Sequence, residues 1–209
     1  MMNKIGIIDL PGSNPRGIQG ALAQLGKNTQ ISRKIEQLKK CDSLIIPGVG
    51  SFGPAAKFLS ESGLDDFLKE RHSEAFPLLG ICLGFQLLSK SSEEAPLYKG
   101  LGLIPAKSIK IQVADHQKLP NVGWRVLTFS GRAFRDSVIR GSAAYFAHSY
   151  EVRGNFHETD IVKASYGDYE LLAAVKVGNL WGAQFHPEKS HDTGLRFLEA
   201  FLSGDAGEG

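Results

Sequence analysis

Short runs of consecutive apolar residues alternate with segments whose apolar residues recur every three or four positions. KIGIIDL (4–10), SLII ahead of PGVG (43–50) and FPLLGI (76–81) are continuous runs of strand length, and each leads into turn formers. After the first, Asn14 reads as a helix N-cap with Pro15 in the first turn. Ile18, Ala21, Leu22 and Leu25 then follow at helical spacing, and Gly26 is a plausible stop. Phe85, Leu87 and Leu88 mark a helix after the third run. Strand then helix, repeated, predicts a parallel sheet covered on both faces. From about residue 100 the pattern changes to strand-like pieces separated by turns, among them NVGWRVLTF, SAAYFAHSYEV, DIVKASY and LLAAVKV. These predict an antiparallel or mixed extension. NLWGAQFHPEKS reads as one more strand ending in a polar cluster, and TGLRFLEAFL as a closing helix. Neither an internal repeat nor a linker interrupts residues 1–203, so one domain is expected there, with residues 204–209 as a disordered tail.

Composition narrows the partners more than the fold. The chain has 209 residues, 42% apolar and 22% charged, with a formal charge of +2, a size that buries a core without staples. That balance gives no reason to expect nucleic acid or a membrane surface as partner. PLLGICLGFQLL is too short to span a bilayer, and Asp9 ends the N-terminal apolar run short of a signal peptide. Cys41 and Cys82 have no second cysteine at metal-ligand spacing and form no disulfide framework, so no metal is expected. Two cysteines in a chain of this size suggest a reducing, cytoplasmic compartment.

Candidate chemistry sits at three strand ends, where sites form in open α/β sheets. In GICLGFQ (80–86), Gly-x-Cys-x-Gly between a strand and a helix has the form of a nucleophile elbow, a sharp turn that lifts the Cys82 sulfur out. Free N–H groups at the start of the helix favour a thiolate, and the N–H of Leu83 would point to where an oxyanion forms. The competing reading is a buried structural cysteine, which is the reading given to Cys41. In HPEKS (186–190), Pro187 restrains its neighbour to extended backbone. His186 and Glu188, two apart on an extended chain, would face one way as base and orienter. A surface His-Pro turn is the alternative. His148, in YFAHSY, competes for the base but lacks an adjacent carboxylate and reads as a pocket wall. His72, His116, His157 and His191 lie in polar, loop-like stretches. PGVG (47–50) is either a plain turn or a second oxyanion donor, with Gly48 and Gly50 letting the Val49 peptide approach a carbonyl.

Taken together, these motifs resemble the class I, triad-type glutamine amidotransferases. PGVGSF, GICLGFQLLSKSSEE, GLGLIP, NVGW, YFAHSY and GAQFHPEKS are similar, in order, to the glutaminase subunits of imidazole glycerol phosphate synthases. The resemblance implies a flavodoxin-like α/β fold of three layers, with a mixed, mainly parallel sheet and helices on both faces. It implies a cofactor-free hydrolysis of glutamine to glutamate and ammonia. Cys82 would be the nucleophile, His186 the base and Glu188 its orienter. Leu83, Val49 and Gly50 would supply the oxyanion site, and Gly48, Gln86, Glu94, His148, Ser149 and Tyr150 would hold the substrate. The implied partner is a (β/α)8-barrel cyclase subunit that receives the ammonia. It would dock on a face carrying Asn14, Trp124, Arg125, Tyr145 and Lys189.

Two departures bear on that partner. DLPGSN (9–14) keeps Asn14 but has Pro11 and Ser13 where glycines are usual in the family. Arg125 stands where the family has a neutral amide, and burying that charge would call for a pairing acid on the partner. Other readings are a paralogous glutaminase serving a different acceptor synthase, a related thiol hydrolase, a catalytically silent docking subunit and a purely structural protein. The full set of Cys82, His186 and Glu188 weighs against a silent subunit, and three strand-end motifs have no packing rationale.

Overall fold

The computed structural model describes residues 4–113, 118–134 and 141–203; the expected tail and His116 lie outside the described residues. The elements run β1 (Lys4–Ile8), α1 (Pro15–Gln24), β2 (Asn28–Ser32), α2 (Ile35–Leu38), β3 (Ser43–Ile46), α3 (Phe52–Glu61), α4 (Leu64–Ser73), β4 (Leu78–Ile81) and α5 (Leu83–Leu88). There follow β5 (Ala106–Lys110), β6 (Asn121–Ser130), β7 (Ala143–His148), β8 (Tyr150–Gly154), β9 (Ile161–Tyr166), β10 (Tyr169–Val177), β11 (Leu180–Ala183) and α6 (His191–Ser203).

One sheet of nine strands carries the order β2-β1-β3-β4-β11-β10-β9-β6-β7, and β5 pairs with β8 in a separate ribbon. The half from β2 to β11 is parallel, whereas β10, β9, β6 and β7 join it antiparallel. The central strands β3, β4 and β11 are buried at every position, which is why their sequences read as unbroken apolar runs. Buried residues form two clusters, one on each face. One gathers Ile7, Leu22, Trp181 and Phe197 under α1 and α6, the other Ile46, Leu59, Leu68 and Phe85 under α3, α4 and α5.

Sequence patterning passes over β2. NTQIS is polar and forms the sheet edge, where only Ser32 is buried, so no apolar run announces it. The N-terminus of α1 is as expected: the Asn14 side-chain oxygen accepts from the Gly17 N–H at 3.2 Å, with Pro15 opening the helix. No helix among the described residues is long and apolar enough to cross a membrane.

Candidate active site

The parallel order places the ends of β3, β4 and β11 side by side, so PGVG, GICLG and HPEKS converge by topology. Cys82 occupies the β4–α5 turn with φ 51° and ψ −108°, a conformation disfavoured for a side chain with a Cβ. Its N–H is tied to the Ala183 carbonyl of β11 at 2.7 Å. The flanking glycines are required by packing. A methyl on Gly84 would overlap the Ile46 carbonyl, and one on Gly80 would overlap the Gly84 backbone.

Cys82, Leu83, Gln86, Glu94, His148, Ser149, Tyr150, His186 and Lys189 line a cleft of about 350 Å³ together with Val49 and Gly50. The His186 ring lies between two acidic partners. Its Nδ1 is 2.9 Å from Glu188 Oε1, and the Cys82 sulfur also favours the charged ring. Burial disfavours the imidazolium, but the sulfur on one side and the carboxylate on the other outweigh it and hold the His186 pKa above its ordinary value. The local route to this pairing differs from two neighbours on an extended chain. His186 is extended (φ −97°, ψ 99°), whereas Glu188 lies in a 3-10 turn, Pro187–Lys189, that curls its carboxylate back onto the ring. Pro187 suits the first position of that turn.

His148 is buried as deeply but is built differently. Arg125 Nε donates to Asn121 Oδ1 at 2.7 Å, which leaves the Asn121 amide nitrogen facing His148 Nε2 at 3.0 Å. That nitrogen can only donate, so His148 Nε2 accepts and the ring proton sits on Nδ1, given to the Tyr150 carbonyl at 2.8 Å. Burial first, then the nearby His186 and Arg125, lower the His148 pKa to about 4. Both ring nitrogens are engaged, so His148 is a wall of the cleft.

Gln86 is buried and donates to the same Tyr150 carbonyl at 2.8 Å. Glu94 accepts from the Phe52 N–H at 3.0 Å, so one of its oxygens closes the start of α3 while the residue borders the cleft. The expected oxyanion donor Leu83 N–H is occupied. It reaches the Gly48 carbonyl at 3.4 Å, and planarity of the peptide turns the Val49 N–H the opposite way. Gln184 is a site residue that sequence reasoning missed: fully buried, it donates from Nε2 to the Cys82 sulfur at 3.7 Å. Its signal was the period of two, which puts Gln184 on the same side as His186 at the end of β11.

At the rim of the cleft Lys189 lies over the Tyr145 ring at 5.4 Å, and beyond it Trp124 stacks on His191 at 5.0 Å. Val122, Trp124 and Val126 form an exposed apolar row along β6. Asn14 is exposed at the start of α1, which packs on the turn carrying Glu188. Arg125 finds hydrogen-bond acceptors within its own chain. The guanidinium is half-buried and bonds Asn121, the Trp124 carbonyl at 2.9 Å and the Val122 carbonyl at 3.2 Å, with the Tyr166 ring beneath it. Among the described residues, no three His, Cys, Asp or Glu side chains gather into a metal-binding group.

Residues 7–203 match the family model of class-I glutamine amidotransferases. The chain is 41% identical over 205 residues to imidazole glycerol phosphate synthase subunit HisH of Bacillus licheniformis, covering 94% of both chains. It is 40% identical over 200 residues to subunit HisH 2 of Methanococcus maripaludis, covering 95% of this chain and 98% of the relative. A crystal structure of a glutamine amidotransferase superposes with a TM-score of 0.75 at 26% identity, over 96% of this chain and 97% of the other.

Proposed function

The chain belongs to the class-I glutamine amidotransferase family, and from that premise we propose that it is the glutaminase subunit of an imidazole glycerol phosphate synthase. It hydrolyses glutamine and passes ammonia to a (β/α)8-barrel cyclase subunit in histidine biosynthesis. The observation that carries the reading is the His186 imidazole held between the Cys82 sulfur and Glu188. The proposed setting is the cytoplasm, supported by two free cysteines and no disulfide among the described residues.

In the proposed reaction the Cys82 sulfur attacks the side-chain amide carbon of glutamine as its proton passes to His186 Nε2. Glu188 holds Nδ1 and offsets the charge on the imidazolium. The tetrahedral intermediate collapses as His186 returns the proton to the departing nitrogen, releasing ammonia and leaving a thioester. Water then attacks the thioester, His186 takes its proton, and glutamate leaves with the thiol restored. The Leu83 and Val49 N–H groups are the proposed oxyanion donors. They serve together only after the Gly48–Val49 peptide rotates, because its carbonyl now occupies the Leu83 N–H. Gating by the partner follows: docking and ligand binding on the barrel would favour the rotated peptide. Trp124, Tyr145, Lys189, Arg125 and Asn14 are proposed to border the docking face, where the exposed apolar row on β6 fits an interface core.

The test is glutamate release from glutamine by the chain alone, and then with the barrel subunit and its nucleotide ligand. A large rise on adding both supports the reading. A flat response, with Cys82 still alkylated by a glutamine-like electrophile, assigns the nucleophile to another acceptor synthase.

A further inference from the structure

All three nitrogens of the Arg125 guanidinium group bond within their own chain, to Asn121 and to the Trp124 and Val122 carbonyls. Asn121 and Arg125 lie four residues apart on one face of β6, and the residue between them on that face is Gly123, at φ 122°. With no side chain there, the Arg125 stem runs back along the strand, Nη1 3.6 Å from where a Cβ would stand. Asn121 pairs in register with His148 of β7. A continuous series of hydrogen bonds results: Arg125 to Asn121, Asn121 to His148, and His148 to the Tyr150 carbonyl, onto which Gln86 also donates.

The directions of these bonds are set from both ends: the Tyr150 carbonyl can only accept, which calls for hydrogen on His148 Nδ1, and Arg125 enforces the matching donor at Nε2. A side-chain amide offers an oxygen or an NH2 group with almost the same shape, so on its own Asn121 could present either to His148. Arg125 is always charged and can only donate. It therefore takes the Asn121 oxygen, turns the NH2 toward His148, and obliges Nε2 to accept. The groups facing His148 from neighbouring elements are Arg125 of β6 and His186 beyond β11, and both oppose a second proton.

We propose that Arg125 and Asn121 are positioning residues for the glutamine pocket, holding His148 as its neutral Nδ1–H tautomer so that the Tyr150 carbonyl stays fixed against Gln86. The proposal rests on reading the cleft as the glutamine site. It also gives the docking strand a route into that site. Two of the Arg125 bonds go to carbonyls of Val122 and Trp124, whose side chains are exposed, so a shift of β6 on docking reaches Asn121 directly.

Two readouts test it. Long-range proton–nitrogen NMR correlations of the imidazoles report which His148 nitrogen carries hydrogen. Steady-state glutaminase assays with the barrel subunit and its nucleotide ligand separate KM from kcat. Arg125→Met keeps the stem and removes every donor. It should free Asn121 to turn its oxygen toward His148, admit a fraction of Nε2–H against the pull of the Tyr150 carbonyl, and raise KM for glutamine about fivefold, as expected for one hydrogen bond, with kcat within about twofold. Arg125→Lys should restore both in part. Asn121→Asp presents only acceptors and should place a proton on His148 Nε2, where the wild type has none. A His148 Nε2 that gains no hydrogen in Arg125→Met, or gains it with KM unchanged, overturns the proposal. Failure of the underlying reading looks different: the wild-type complex would release no glutamate while its His148 Nδ1–H signal stays in place.

Discussion

His148 and His186 border the same cleft and are almost equally buried, at 5% and 2% exposure. Burial is the largest influence on both and pushes both toward the neutral ring. They nonetheless diverge. His186 meets the Cys82 sulfur and the Glu188 carboxylate, two groups able to carry negative charge, and its proton affinity rises. His148 meets an amide donor and a carbonyl, with Arg125 and His186 as its charged neighbours, and its pKa falls to about 4. Depth therefore does not separate a base from a wall residue; the partners on the two ring nitrogens do.

The largest expected effect tests that division directly. His186→Asn should reduce kcat for glutamate release by about 10³-fold or more, as should Cys82→Ala, because the pair acts as a unit. Ammonia-dependent synthesis by the complex should survive Cys82→Ala. His148→Asn should act mainly on KM, with kcat within a few-fold. Equal losses of kcat at the two histidines would break the comparison.

Glu188→Gln comes next. It keeps the shape but removes the negative charge beside Nδ1, so kcat should fall by about 10²-fold or more, toward the roughly 10⁴-fold loss seen when the orienting carboxylate of a Ser-His-Asp triad is neutralised. The proton affinity of His186 should fall with it, moving the pH dependence of kcat toward acid. Glu188 Oε2 is buried without a hydrogen-bond partner, which leaves the ring contact as the main use of this carboxylate. A pH profile unmoved by Glu188→Gln would separate Glu188 from the ring electrostatically.

Stability against pH sharpens the contrast, because the two residues have opposite signs. For His148 the folded pKa is depressed, so the unfolded chain binds the proton first. Its contribution is complete above about 6.5 and is lost as pH falls through about 4, roughly 3 kcal/mol in all. For His186 the folded pKa is raised. Its contribution is complete below the unfolded value and is lost as pH rises through the folded one. Urea midpoints measured from pH 7 to pH 4 should therefore fall more steeply for the wild type than for His148→Asn. Parallel slopes would remove His148 from the acid response.

The sequence exposed these two histidines unequally, and the reason is physical. GICLG and HPE are legible because backbone geometry requires particular residues. Gly80 and Gly84 clear room for the turn at Cys82, and Pro187 opens the turn that returns Glu188 to the ring. The parallel strands were legible because both their faces are buried. β2 was not, since an edge strand such as NTQIS needs no apolar run. The partners of His148 were equally silent. Asn121 lies 27 residues away and is joined to it by cross-strand register, which spacing along the chain does not encode. The Asn121 oxygen and the backbone carbonyls that receive the Arg125 guanidinium were silent for the same reason.

A third histidine extends the comparison beyond the cleft and carries the smallest expected effect. The His191 ring stacks on Trp124 at 5.0 Å with an interplanar angle of 10°, and Trp124 in turn meets Tyr145 edge-on at 6.1 Å. Trp124 remains 44% exposed, so the stack fixes the orientation of a large apolar surface without covering it. Such a pair contributes about 0.5–1.5 kcal/mol, most of which would appear as preorganisation of the docking face. His191→Ala should therefore weaken binding of the barrel subunit about two- to tenfold in a titration, chiefly through faster dissociation. Glutaminase activity at saturating partner should change by less than about twofold, because His191 is not among the residues lining the cleft. A loss of kcat comparable to that of His186→Asn would place His191 inside the chemistry and end the distinction between a histidine that moves protons and one that only shapes a surface.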